Sequence, residues 1–173
     1  MIPISEIIKT ETFEKINNSK SQIDFYIENN SHHDILTIVR LNNKSFGEQM
    51  QRIITEFFNL NNPTNSGHDC KLPNSNVKVE IKSSRFWVNT KDWRWQHIMV
   101  EHDYEYIILV GINFEGIDTY IISKQKFLEL YQMGIVTQQG NAEGQGLWCE
   151  FSKIKPYLTN ISSPEELNKF INT

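Results

Sequence analysis

The chain has 173 residues, 39% of them hydrophobic, with ten Phe, six Tyr and four Trp, and a formal net charge of −4. That length and apolar share support one domain with a true core, and Cys70 and Cys149, set in apolar strand-like surroundings, read as reduced core residues and not as a disulfide framework. The mildly acidic balance excludes a broadly basic surface, so any nucleic-acid contact has to come from local patches.

No run reaches the roughly 20 apolar residues that a membrane-spanning helix needs. The N-terminal stretch MIPISEIIKTETFEK carries acids and lacks the long apolar segment of a secretory signal. The expectation is a soluble, cytoplasmic protein with no membrane partner. It is read as a single domain over residues 1–173, with an N-terminal helical or arm-like element at 1–43, a core at 44–151 and a helical tail at 152–173.

In chain order, Ile4, Ile7, Ile8 and Phe13 recur at loosely helical spacing, and Asn17 to Ser21 reads as a break. Residues 22–28 and 34–41 fit either a strand or a short helix. A helix is expected from Ser45, where Ser45-Phe46-Gly47-Glu48 has the form of a capping box. Phe46, Met50, Ile53, Ile54, Phe57 and Phe58 give it one apolar face, with Glu48 nearly opposite.

Residues 64–72 and 77–84 read as a hairpin around the turn formers Pro73-Asn74-Ser75-Asn76. Alternation along a strand sends Val77, Val79 and Ile81 to one face and Glu80 and Lys82 to the other. Across the turn, Cys70 and Leu72 share the apolar face and Asp69 the polar one. Folding the hairpin brings Asp69, Glu80 and Lys82 onto one patch. Two carboxylates can hold a Mg²⁺ ion that keeps its waters, and the backbone carbonyl of Ile81 can add a ligand. Such a cation lowers the pKa of bound water and offsets charge on a phosphoryl group, with Lys82 placed to orient the water or the phosphate.

Residues 86–97 mix aromatics with Lys91 and Arg94. They read either as a short amphipathic helix or loop packing Trp93 and Trp95 on the sheet, or as a surface that stacks on bases and holds phosphates. The Gln96 amide has a claim on a metal-bound water or a phosphate. Tyr104 to Ile112 is apolar enough for a strand buried on both faces. Ile117 to Ser123 reads as its neighbour, followed by a helix capped by Ser123. The loop Thr137 to Gly146 carries glycines and the amides of Gln138, Gln139, Asn141 and Gln145, which can read base edges, adenine especially. A strand is expected over Leu147–Phe151. Ser163-Pro164-Glu165-Glu166 opens a terminal helix.

Ser66-Gly67-His68-Asp69, ten residues, then Glu80-Ile81-Lys82-Ser83-Ser84 resembles the signature of the PD-(D/E)xK nucleases, which include type II restriction endonucleases and Holliday junction resolvases. His68 stands where the family often has Pro. Trp93 to His97 and the apolar run from Tyr104 resemble the restriction-enzyme branch, where a Gln or other polar residue follows the ExK strand. The resemblance covers roughly Ser45 to Leu130. It implies an α/β fold with a restriction-endonuclease-like core, a mixed central β-sheet flanked by helices. It also implies Mg²⁺, double-stranded DNA as substrate, a 5′-phosphate product and a homodimer cutting both strands.

Asp69 and Glu80 would then hold the metal, Lys82 would orient the nucleophile, and Glu48 would join the site as the acid often found on that helix. Gln96 completes the expected catalytic set. Ser83, Ser84, Arg85, Lys91, Trp93, Arg94 and the four loop amides complete the expected DNA contacts. A site-specific restriction enzyme is the first expectation. A structure-selective resolvase or repair nuclease, and a non-catalytic DNA-binding module of the same fold, are the alternatives. A metal hydrolase acting outside nucleic acids fits less well, because HExxH, P-loop and nucleophile-elbow motifs are all missing.

Overall fold

A computed structural model describes residues 21–63, 67–73, 75–140 and 144–172, together with Pro3, Glu6 and Lys9. The helical expectation for residues 4–16, Asn74 of the hairpin turn, and Asn141 lie outside the described residues.

The fold is mixed α/β. An eight-stranded sheet runs β6-β7-β3-β2-β4-β5-β8, with β1 added beside β2. The strands are β1 (Cys70–Lys71), β2 (Lys78–Trp87), β3 (Asp92–Ile98), β4 (Tyr106–Ile112), β5 (Ile117–Ser123), β6 (Thr137–Gln138), β7 (Leu147–Glu150) and β8 (Thr159–Asn160). Six α-helices flank it among the described residues: α1 (Gln22–Glu28), α2 (His33–Val39), α3 (Asn43–Phe57), α4 (Lys124–Gln132), α5 (Phe151–Ile154) and α6 (Pro164–Ile171). None is long and apolar enough to cross a membrane.

The sheet is buried on both sides. β2 runs parallel to β4 from Val79↔Tyr106 to Arg85↔Ile112, and β4 runs antiparallel to β5. Alternation then sorts side chains into two cores. Val79, Ile81, Ile108 and Val110 pack with Met50, Ile54 and Phe58 of α3 and its end. Ile107, Leu109 and Ile122 pack with Phe127 and Leu130 of α4 and with Trp93 and Trp95 of β3. Two filled faces explain why β4 is a continuous apolar run. Cys70 and Cys149 are both buried free thiols.

Ser123 caps α4 by accepting from the Lys126 N–H at 3.1 Å, and Ser163 caps α6 ahead of Pro164, as the sequence leads one to expect. The start of α3 differs. Asn42 is its N-cap, accepting from the Ser45 N–H at 2.9 Å, so Ser45 sits three residues inside the helix and the expected capping box does not form. The Asn42 side chain serves the free N–H of its own N3 position, Ser45, as a Ser45 cap would have served that of Glu48 one turn later. The two ambiguous segments, 22–28 and 34–41, are helical, as α1 and α2. The last expected strand ends at Glu150, and Phe151 opens α5.

Residues 86–97 form neither a helix nor a loop. They continue β2 into a hairpin with β3, paired at Phe86↔Trp93 and Trp87↔Asp92. Lys91 closes the turn in the left-handed region, φ +49°, donating its N–H to the Trp87 carbonyl at 2.7 Å. Trp93 and Trp95 then alternate inward and donate their indole N–H groups to the carbonyls of Ile112 and Val110, at 3.0 and 2.9 Å. Gly111 makes this possible. A Cβ there would lie 2.4 Å from Trp93 Cε2, so the indole occupies the space a side chain would need.

Candidate functional site

The site lies along one edge of β2. The opposite edge is paired with β4 over seven residues. On this edge β1 meets β2 at Cys70↔Val79 and Lys71↔Lys78, and β3 meets it at Phe86 and Trp87. Between those contacts, among the described residues, no strand pairs with the ExK segment on this edge, which leaves an opening in the ladder.

Asp69 stands one residue before β1. Continuing the register from Cys70↔Val79 sets it opposite Glu80, and its N–H donates to the Val79 carbonyl at 3.1 Å. Its carboxylate Oδ2 accepts from the Ile81 N–H at 2.7 Å. A residue in a strand presents its N–H and C=O to the same edge, so the Ile81 carbonyl also faces the opening, next to the Asp69 carboxylate. Glu80 is buried, with its side chain 4% exposed, and its Oε1 accepts from Lys82 Nζ at 2.8 Å. Asp69 is thus tied to Ile81, and Glu80 to Lys82, on the same short stretch of β2, with the Glu80 charge acting on Asp69.

The charges do not balance. Two carboxylates, one buried and one half-buried, lie beside one ammonium. Burial first, and the Glu80 charge second, push the Asp69 carboxyl up to about 6, against the opposing pull of the Ile81 N–H, Lys82 and His102. A cation beside Asp69 and Glu80 would relieve this repulsion. Among the described residues no group of three or more His, Cys, Asp and Glu side chains is assembled for a metal. The available donors are two carboxylates and one carbonyl, all oxygen. That set suits a hard cation that retains water and excludes a closed zinc-type centre.

Helix α3 flanks the opening. Glu48, Gln51, Arg52, Thr55 and Asp69 line a cavity of about 400 Å³. Glu48 is exposed there, so the structure sets this acid on the same cavity as Asp69. Gln51 Nε2 reaches the Asp69 carbonyl at 3.5 Å, tying the helix to the residue before β1. Sequence reasoning passed over Gln51; its position one turn beyond Glu48, on the same helix face, was the available signal.

The other expected residues divide into two groups. Ser83, Arg94, Gln96 and His97 border a second cavity of about 190 Å³ with Asn43 and Gly47 of α3. Gln96 is exposed there and does not line the Asp69 cavity. Arg94 is ion-paired with Glu150 at 2.6 Å. Lys91 is exposed at the hairpin tip. Gln139 binds His97 twice, its Oε1 accepting from the backbone N–H at 2.8 Å and its Nε2 lying 3.1 Å from the ring Nε2. That grip holds His97 in a left-handed conformation, φ +55°, at the bulge between Trp95 and Ile98. Gln138 and Gln145 are exposed on the same hairpin.

Ser84, Arg85 and Trp93 are corrections. All three are buried and used inside the protein. Ser84 Oγ donates to the Arg85 carbonyl at 2.9 Å and accepts from the Arg94 N–H at 3.0 Å. The Arg85 guanidinium lies 3.9 Å from the Phe46 ring centroid. It donates to the Val39 carbonyl and to Asn43 Oδ1, each at 3.0 Å, and to the Leu41 carbonyl. Arg85 thus satisfies carbonyls left over where α2 ends. Trp93 is 6% exposed and belongs to the core. Ser84 and Arg85 also border the second cavity, but their polar groups are taken up by these internal bonds.

No protein-family model matches the chain, and no curated protein matches it.

Proposed function

We propose that this chain is a Mg²⁺-dependent endonuclease of the PD-(D/E)xK type, with a restriction-endonuclease-like core, that hydrolyses phosphodiester bonds in double-stranded DNA at a specific site and acts as a homodimer. The observation that supports it is the gathering of Asp69, Glu80, the Ile81 carbonyl and Lys82 at one open stretch of sheet edge. Asp69, Glu80 and the Ile81 carbonyl would hold the cation. When bound, it supplies a water of lowered pKa and positive charge opposite the phosphoryl oxygens.

The chain's own residues do the rest. Lys82 uses one N–H on Glu80, leaving two for the attacking water and a phosphate oxygen. The water oxygen bonds to phosphorus as the P–O3′ bond breaks. One water proton departs to solvent, and the leaving O3′ takes a proton, giving a 5′-phosphate and a 3′-hydroxyl. Glu48 borders the approach, while Gln96 and Ser83 border the neighbouring cavity beside His97, which Gln139 holds, and base edges would lie on that side.

The test is incubation of supercoiled plasmid with the purified protein, with Mg²⁺ or with EDTA. Discrete Mg²⁺-dependent fragments are expected, and sequencing their ends gives the site and the cut position. Glu80→Ala should slow cleavage by at least about 10³-fold, since several kcal/mol of charge stabilisation is lost, while leaving DNA binding in place. Cutting confined to branched junctions would redirect the reading to a structure-selective nuclease. A Glu80→Ala protein that still cuts, or intact DNA of every form with Mg²⁺ present, would sink it.

A further inference from the structure

Tyr104 precedes β4 by two residues and is 3% exposed. Its hydroxyl is sealed from solvent and has no hydrogen-bond partner among the described residues. A buried hydroxyl without a partner forfeits the solvation that water gave it, and a Phe would fill the same volume without that loss. The ring is held in place. Lys124 Nζ sits 4.6 Å from its centroid and donates to the His102 carbonyl at 2.6 Å.

The surroundings identify a partner. Glu80 pairs with Ile107 and Lys82 with Leu109, so these two side chains leave β2 on the face that carries Ile107 and Leu109. Tyr104 belongs to the core on that same face. Burial, then the Glu80 charge and then Glu101 raise the phenol's pKa, in keeping with Glu80 lying on the same face as Tyr104. The Glu80 Oε1 is engaged by Lys82. A cation at the opening would compete for Glu80, and a carboxylate released from its ammonium needs a second donor to keep its orientation.

We propose that Tyr104 is a positioning residue for Glu80. Its hydroxyl donates to the Glu80 carboxylate, directly or through one enclosed water, and holds it in the metal-binding orientation while Lys82 turns to the substrate. This rests on the metal-site reading above and assigns the hydroxyl a role that exists only when that site is loaded.

The test is Tyr104→Phe in the full chain, read by calorimetric titration of Mg²⁺ into metal-free protein and by thermal melting in EDTA. The melting temperature should hold or rise, because an unpaired hydroxyl is removed. The Mg²⁺ Kd should weaken by about tenfold, the low end of what the loss of an outer-shell partner brings. Tyr104→Ala is the packing control and should lower the melting temperature sharply. An unchanged Mg²⁺ Kd in Tyr104→Phe overturns the proposal, and so does a clear fall in its melting temperature, which would mean that the hydroxyl already serves the metal-free fold. Should the unaltered protein bind Mg²⁺ no better than Glu80→Ala, the metal-site reading fails, and this inference with it.

Discussion

The two halves of strand β2 carry similar residues to opposite ends. Glu80 and Lys82, at its start, satisfy mainly each other, beside an Asp69 whose proton is held by crowding and burial. Ser84 and Arg85, a few residues on, are fully committed: three donated bonds from the guanidinium, an aromatic ring beneath it, and a hydroxyl that both donates and accepts. A polar residue whose groups are all answered within the chain supports the fold. A cluster with surplus like charge and facing donors is poised for something outside it. Polar character in EIKSSR therefore carries no single meaning, and the accounting of partners separates the two uses.

The sharpest way to break this comparison is Arg85→Ala. It should cost about 3 kcal/mol, by stranding the Val39 and Leu41 carbonyls and emptying the space over Phe46. Urea unfolding measures it, and Arg85→Lys should recover little, since an ammonium cannot span three acceptors in one plane. A loss of DNA binding without a loss of stability would reverse the assignment of Arg85.

Gly111→Ala probes the packing behind the same half. The new methyl meets Trp93 at 2.4 Å, so a shift of the indole is forced and about 2 kcal/mol should be lost. The Trp fluorescence and the urea midpoint should move together. A wild-type midpoint would mean that Trp93 is loosely held.

The smallest effect concerns the other half. In the folded chain Asp69 keeps its proton up to about 6, against an ordinary value of 3.8. At pH values below that ordinary value, folded and unfolded chains are both protonated and nothing is lost. As pH rises toward about 6 the unfolded chain ionises first, so the folded state loses stability, and the loss levels off above that. Asp69→Asn, measured in EDTA, should match the unaltered protein near pH 4 and exceed it by about 1.5 kcal/mol above pH 7, once partial solvent access is allowed for. A difference that stays flat with pH would show that burial and the Glu80 charge do not raise the Asp69 carboxyl.

Period-two alternation was enough to set Glu80 and Lys82 on one face of β2 and Val79 and Ile81 on the other, because strand geometry ties side to residue number. The continuous apolar run of β4 and the Ser caps of α4 and α6 were legible for equally local reasons. The region from Phe86 to His97 was not. Trp, Lys and Arg suit a nucleic-acid surface as well as a core, and only Gly111, 18 residues beyond Trp93, decides that the indole goes inward. Arg85 was illegible for a similar reason: its acceptors lie on α2 and at the start of α3, 42 to 46 residues away. At the head of α3 the local pattern pointed to Ser45, and the cap is instead Asn42, three residues earlier. Gln51 and Tyr104 carry no motif and become visible only through what surrounds them.

The seven-residue parallel partnership with β4 has one more consequence. Because that rail holds β2 straight from behind, the missing rungs in front cost it no alignment. The oxygens of Glu80 and Ile81 sit on a stiff mount and not on a loop. A visiting ion would have to match their spacing instead of bending them to its own, so its radius and its readiness to shed water would decide which metal is accepted.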